Sequence, residues 1–476
     1  MNVLNHEKLH QKYFEEISRI PRASCKEEKC ADYLVEFAKE LGLKYKRDEL
    51  HNVIIYKPAS AGYEDHGAVI LQGHTDMVCE KNAGCDHNFD TDPLDLYIED
   101  GMLKARGTTL GADNGVGCAY MMAVLAMDLP HPALECVFTS QEEIGLIGAF
   151  ALKAEDFTAK RYINLDFGAG GKGTGITSAG GEMIGLRKSV EFEACEGQAY
   201  RLFVTGLKGG HSGGCIHLER GNALKICGRI LKEISGSSDV SIVKLDGGLK
   251  NNAIPRECEA VFISNAKEEE IRSACEKMEA KIRNEIKFQE PDFAVIFEKD
   301  EGGLAICEEV SADIVDLMYL LPTGMRHQSM VIEGLTVASE NLASVRCGED
   351  YVEFQYSLRA EKESLRDMME NELCLIAGMY EMSVDVYNKF PSWEYNPDSA
   401  MRELLRKVFK EQKNEEMEVI ATHGGLECGV FCDLIPGLDV VTLGAAAEGA
   451  HTPEEQMDLA SFDQMFDLLT VFLKEL

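Results

Sequence analysis

Apolar positions recur at helical spacing over the first forty residues and then give way to short dense runs. The spacing predicts a helix over about 5–18 and a second that opens at a capping-box pattern, Ser24-Cys25-Lys26-Glu27, and ends near Gly42. Strand-like runs follow at 52–56 (NVIIY), 68–72 (AVILQ), 135–139 (ECVFT) and 161–167 (RYINLDF), with helical patterns over 114–128 and 142–153. Alternation of this kind predicts an α/β fold with a mostly parallel sheet flanked by helices.

The Gly-rich stretch 168–181 interrupts that pattern and reads as a boundary. Its GGKGTG is not a phosphate loop, because no apolar strand and no Lys-Ser/Thr helix start flank it. From 184 to 397 the pattern becomes α+β, with strands such as YRLFVTGL and ECEAVFIS and helices over 219–235, 267–285, 308–321 and 363–381. It divides into two halves, each read as a small sheet covered by two helices, without an internal repeat. After Asn396-Pro397 the first style returns, with EVIAT (418–422), LDVVTLGA (438–445) and an amphipathic closing helix. The expected organisation is one domain built from 1–183 and 398–476, carrying 184–397 as an insertion.

Composition narrows the function classes. A chain of 476 residues with 45% hydrophobic content can bury more than one core. Its net charge of −34 repels phosphate backbones and anionic membrane surfaces, so nucleic acid and membrane are not expected partners. No apolar run approaches the roughly 18 to 20 residues that span a bilayer, and the N-terminus lacks the apolar core of a signal peptide. Sixteen scattered cysteines without a CxxC pair fit reduced thiols, and a cytoplasmic location is expected.

Five short segments then stand out, each at a strand end or a helix start. His74 and Asp76 in GHTD lie two apart in extended backbone and can face one point, where an Asp can fix the tautomer of a metal-bound imidazole; a hydrogen-bonded core histidine is the alternative. Asp113, in the glycine-laden RGTTLGADNG, is either a helix N-cap or a ligand held rigidly at a helix start. Glu142 and Glu143 follow a nearly apolar strand, where open α/β sheets bind ligands. Adjacent carboxylates repel unless a cation lies between them or one is protonated; Glu142 as general base and Glu143 as ligand meets that condition, and an exposed helix start is the alternative. Asp166 ends YINLDF, and His451 follows LDVVTLGA in GAHTPEE.

Two histidines and three carboxylates suit two divalent ions, zinc first, with manganese or cobalt as alternatives. Ions about 3.5 to 4 Å apart need a bridging ligand, and a short Asp on a stiff loop, here Asp113, can supply it.

The series GHTDMV, GADNGVG, SQEEIG, NLDFG and GAHTPEE resembles the motifs of the co-catalytic di-zinc peptidases that include carboxypeptidase G, aminoacylase and tripeptidase. That resemblance implies that His74 and Asp166 hold one zinc and Glu143 and His451 the other, with Asp113 bridging, Asp76 orienting His74 and Glu142 as proton shuttle. It also implies that the insertion is a lid. ISRIPRAS, KGGHSGGCIHLERGNA, GGLKNNAIPRE and HGGLECGVF are similar to the aminoacyl-histidine (Xaa-His) dipeptidase branch, whose substrates are small peptides such as β-alanyl-histidine. Within that branch His211 resembles the histidine that stabilises the oxyanion, and Asn252 and Arg359 the binders of the peptide's C-terminal carboxylate. Glu427 is matched to the substrate's free amine, and His423 is either core or site. Cys215 stands where related enzymes often carry an acid. A doubled lid could close a site within one chain, but related dimers also exist, so the resemblance leaves a homodimer open.

The competing readings are a deacylase or aminotripeptidase with the same metals, and a non-catalytic binding protein. Every expected ligand and base position is filled, which speaks against the last.

Overall fold

The computed structural model describes residues 2–167 and 169–476; Met1 and Gly168, the glycine that opens the Gly-rich stretch, lie outside the described residues. The chain separates into two units, one made of Met1–Ser178, Trp393–Thr422 and Leu426–Leu476, the other of Ala179–Ser392 and His423–Gly425.

The first unit is built on a six-stranded sheet in the order Lys44–Arg47, Val53–Lys57, Leu134–Thr139, Val69–His74, Arg161–Asn164, Asp439–Thr442. The first two strands are antiparallel to their neighbours and the last four are parallel. Val69–His74 and Leu134–Thr139 are buried at every position, as strands covered on both faces must be. That explains why they read as continuous apolar runs rather than as alternation.

The helix Ala112–Ala126 is buried on nearly all sides, and its sequence of small and apolar residues has no polar face to turn outward. Its Tyr120 ring stacks on Phe462 at 5.1 Å, and Phe14 meets Phe462 edge-on at 5.6 Å, so the first and last helices close on one core. Each such fully buried side chain contributes on the order of 1.5–3 kcal/mol. A four-stranded sheet, Ala447–Glu448, Gln456–Asp458, Met102–Ala105, Leu96–Glu99, ties the C-terminal hairpin to the segment before Asp113.

Two expected local features differ. The capping box does not form: the helix is Glu28–Glu40, the Ser24 hydroxyl donates to Asp76 at 2.8 Å, and the Glu27 carboxylate accepts from the Cys25 and Gln141 amides. Tertiary partners outcompeted the local cap. The helix predicted over 142–153 shrinks to Ile147–Ala151.

The second unit carries an antiparallel sheet of nine strands, covered by helices Ala223–Ser235, Glu268–Ile286, Glu308–Leu320 and Glu363–Met379. Its two halves do not form separate sheets. Asp246 and Gly247 of one half pair with Arg346 and Val345 of the other, which removes two exposed edges. Among the described residues no helix is long and apolar enough to cross a membrane.

Candidate metal centre

Three adjacent parallel strands, Leu134–Thr139, Val69–His74 and Arg161–Asn164, end at the same edge of the first sheet, and ligands of open α/β sheets bind at that edge. From their ends come Glu142 and Glu143, His74, and Asp166. Asp113 joins them from the start of the buried helix and His451 from the turn between Ala447–Glu448 and Gln456–Asp458.

The side chains converge in two sets. His74 Nε2 lies 2.9 Å from Asp113 Oδ1 and 3.5 Å from Asp166 Oδ1. His451 Nε2 lies 3.4 Å from Asp113 Oδ2 and 3.0 Å from Glu143 Oε1. Ligand atoms fall within 4.8 Å of one another in the trios His74/Asp113/Asp166 and Asp113/Glu143/His451, and also in His74/Glu142/Glu143, which takes in the second glutamate and leaves out Asp113. The donor set, one imidazole and two carboxylates per trio with Asp113 shared by the first two, fits two divalent ions and gives Asp113 one oxygen for each. Glu142 Oε2 stands 3.9 Å from His74 Nε2.

Asp76 lies behind His74, its Oδ1 3.4 Å from Nδ1. It also accepts the Glu142 amide at 3.0 Å and the Glu143 amide at 3.2 Å, so this carboxylate holds the loop that carries both glutamates, while the Asp76 backbone carbonyl meets His74 Nδ1 at 3.1 Å.

Close packing accounts for glycines in the motifs. A Cβ at Gly73 would stand 2.2 Å from Asn114 Oδ1, because the His74 strand passes directly over the helix start. Gly111 has φ +65°, and a Cβ there would meet Arg22 Nη2 at 2.4 Å. Asp113 and Asn114 have non-helical backbone angles, and Asp113 makes no N-cap bond; its carboxylate is turned to the histidines.

The charges are unbalanced without cations. Burial favours a neutral His74, yet Asp166, Asp113 and Asp76 outweigh it and hold the imidazole well above its usual range. Asp113 and Glu143 push His451 up to about 10. Burial and the neighbouring Asp113 raise Asp166 to about 6, and burial raises Glu142 well above an ordinary glutamate. Protons here stand where divalent ions would take their place.

Glu427 is wholly buried, accepting from the Thr139 hydroxyl at 2.8 Å and from the Gln72 amide, whose own carbonyl accepts from Tyr162 and Asn164. Burial lifts it to about 8. Both bonds use Oε2 and join it to the strand ends that carry His74 and Glu142, and its Oε1 has no hydrogen-bond partner among the described residues.

The remaining candidates lie in the second unit. His211 pairs with Ala253 in a two-stranded sheet, and the Ser212 amide donates to the Asn252 carbonyl at 2.8 Å, so His211 and Asn252 are neighbours. His211 Nδ1 accepts the amides of Gly213 and Gly214, which places its proton on Nε2 as a donor. Arg359 lies opposite Ser339, whose hydroxyl meets His423 Nε2 at 2.7 Å. Burial alone lowers Arg359 to about 10, and its Nε has no hydrogen-bond partner among the described residues. Burial and the charge of Arg359 pull His423 down to about 3, a neutral ring. Cys215 is half-buried and free, and Cys118 is buried.

Reading the sequence alone missed two residues of the first unit. Glu455 accepts the amides of Leu110, Gly111, Ala112 and Asp113. Arg22 donates to the carbonyls of Thr75, Asp76 and Gly111. Both lie inside motifs quoted above, HTPEE and ISRIPRAS, but neither sequence indicates a backbone partner.

Comparison with known proteins gives the family. The chain is 34% identical over 468 residues, 97% of its length and 96% of the relative's, to the cytosol non-specific dipeptidase of Escherichia coli K12. The crystal structure of aminoacylhistidine dipeptidase from Vibrio alginolyticus superposes with a TM-score of 0.88 at 30% identity, covering 98% of this chain and 96% of that one. A tripeptidase from Staphylococcus aureus shares the fold, with a TM-score of 0.58 at 16% identity over 99% of both chains. The pattern of one peptidase family matches residues 70–475, strand ends and closing hairpin included, and the chain belongs to that family, peptidase family M20/M25/M40.

Proposed function

We propose that this protein is a cytoplasmic two-metal dipeptidase, with zinc as the metal and Xaa-His dipeptides such as β-alanyl-histidine among its substrates. The observation that carries the reading is Asp113, whose two oxygens face His74 and His451 separately and divide the ligands into two sets around one shared carboxylate. His74 and Asp166 would hold one ion, Glu143 and His451 the other. Such ions supply Lewis acidity and ease deprotonation of water near neutral pH.

The chain's own groups do the rest. Glu142, 3.9 Å from His74 Nε2, takes a proton from water and returns it to the leaving amine. Asp76 keeps His74 in one tautomer. Within the second unit, His211 carries an Nε2–H donor of the kind that suits an oxyanion, and the Arg359 guanidinium, with Asn252, suits a peptide's terminal carboxylate.

Elemental analysis with a panel of β-alanyl-histidine, a neutral α-dipeptide and an N-acetyl amino acid tests this reading. About two zinc per chain and dipeptide cleavage lost to a chelator are expected. Preference for the acetyl compound would make it a deacylase, and absence of both metal and cleavage after zinc or manganese is added would make it a binding protein.

A further inference from the structure

Glu455 is almost wholly buried, and its carboxylate receives four consecutive backbone amides. Oε2 accepts from Leu110 at 2.8 Å and Gly111 at 2.9 Å; Oε1 accepts from Ala112 at 2.9 Å and Asp113 at 3.4 Å. Four N–H groups turned to one point are an anion-binding concavity, and this chain fills it with its own side chain. The opposite face of the loop is held by Arg22, which joins the Gly111 carbonyl at 2.6 Å to the carbonyls of Thr75 and Asp76. Glu455 itself lies four positions after His451 in the same hairpin turn.

We propose that Glu455 is a positioning residue for both metal sites at once. Resting on the two-metal reading above, it fixes the backbone of Asp113, the group both sites share, and ties that backbone to the turn that carries His451. A shift of the loop moves both Asp113 oxygens together, so loosening this clamp weakens both ions rather than one.

The test uses the full-length protein stripped of metal and titrated with zinc against a competing chelator, at a temperature where circular dichroism shows every variant fully folded. Glu455→Gln keeps the shape but offers one acceptor oxygen where two stood, so two amides face a donor. Zinc affinity at both sites should fall by about 10- to 100-fold, the usual cost of losing an outer partner of a ligand. Turnover at saturating zinc should fall in kcat more than in KM, and Glu455→Asp should recover part of the affinity. If Glu455→Gln melts at a lower temperature yet binds both ions with wild-type affinity, the residue is only structural and the proposal is overturned. Loss at one site alone would overturn the coupling. If the wild-type protein binds no zinc, the two-metal reading fails instead.

Discussion

Two regions of this molecule hold charge that the protein does not neutralise, and they do so with opposite sign. In the first unit Asp76, Asp113, Glu142, Glu143 and Asp166 crowd around two imidazoles. In the second, no acid among the described residues pairs with Arg359, which lies beside a neutral His423. Arg201, on the same sheet as Arg359, shows the ordinary arrangement: Glu259 and Glu298 pair with it and raise it. Burying an unpaired charge is costly, so a fold that keeps one leaves it for something that arrives later. One region is complementary to divalent cations, and the other to a carboxylate.

Removing chemistry from the acidic region should have the largest effect. Glu142→Ala should lower kcat by on the order of 10² to 10⁴, with metal content near normal, because only proton transfer is lost. Retained activity would sink its role as base. His451→Ala should lower metal occupancy as well, and unchanged occupancy would take it out of the ligand set.

The cationic region gives the next effect. Arg359→Ala should raise KM by about 30-fold or more, the cost of removing one partner of a desolvated charge pair, and Arg359→Lys should recover only part because the fork is gone. The wild-type enzyme should discriminate against a C-terminally amidated dipeptide, and the variant should not. Equal discrimination by both would show that Arg359 does not read the carboxylate.

The smallest effect is in pH. His451 is raised from 6.5 to about 10 in the metal-free protein, so its pairing stabilises the fold fully below pH 6.5 and less as pH climbs toward 10. Zinc affinity should move the other way, rising with pH as competing protons leave. A metal-free melting temperature that stays flat across that window, with zinc affinity also independent of pH, would show that His451 is not held protonated by Asp113 and Glu143.

Much of the active centre was legible early because its residues sit at punctuation in the sequence: a polar triplet ending an apolar strand, glycines crowding a helix start, paired glutamates after another strand. Gly73, Gly111 and Gly117 stand where any side chain would strike Asn114 or Arg22, so the close approach left its mark in composition. Ser24 and Glu27 misled, since the same residues that spell a capping box were recruited by Asp76 and Gln141. The continuous sheet of the second unit was hidden because strand pairing between distant segments leaves no local pattern.

The sequence by itself determined the strands of the first sheet other than Lys44–Arg47, and which residue types could hold metal. Those follow from hydrophobic period and from the chemistry of side chains, both local. Only the tertiary structure decided that Asp113 faces a histidine with each oxygen, that Glu427 lies beneath the strand ends, and that Glu455 and Arg22 grip the loop between them. Their partners are backbone groups or side chains far away along the chain, and a backbone amide carries no sequence signature.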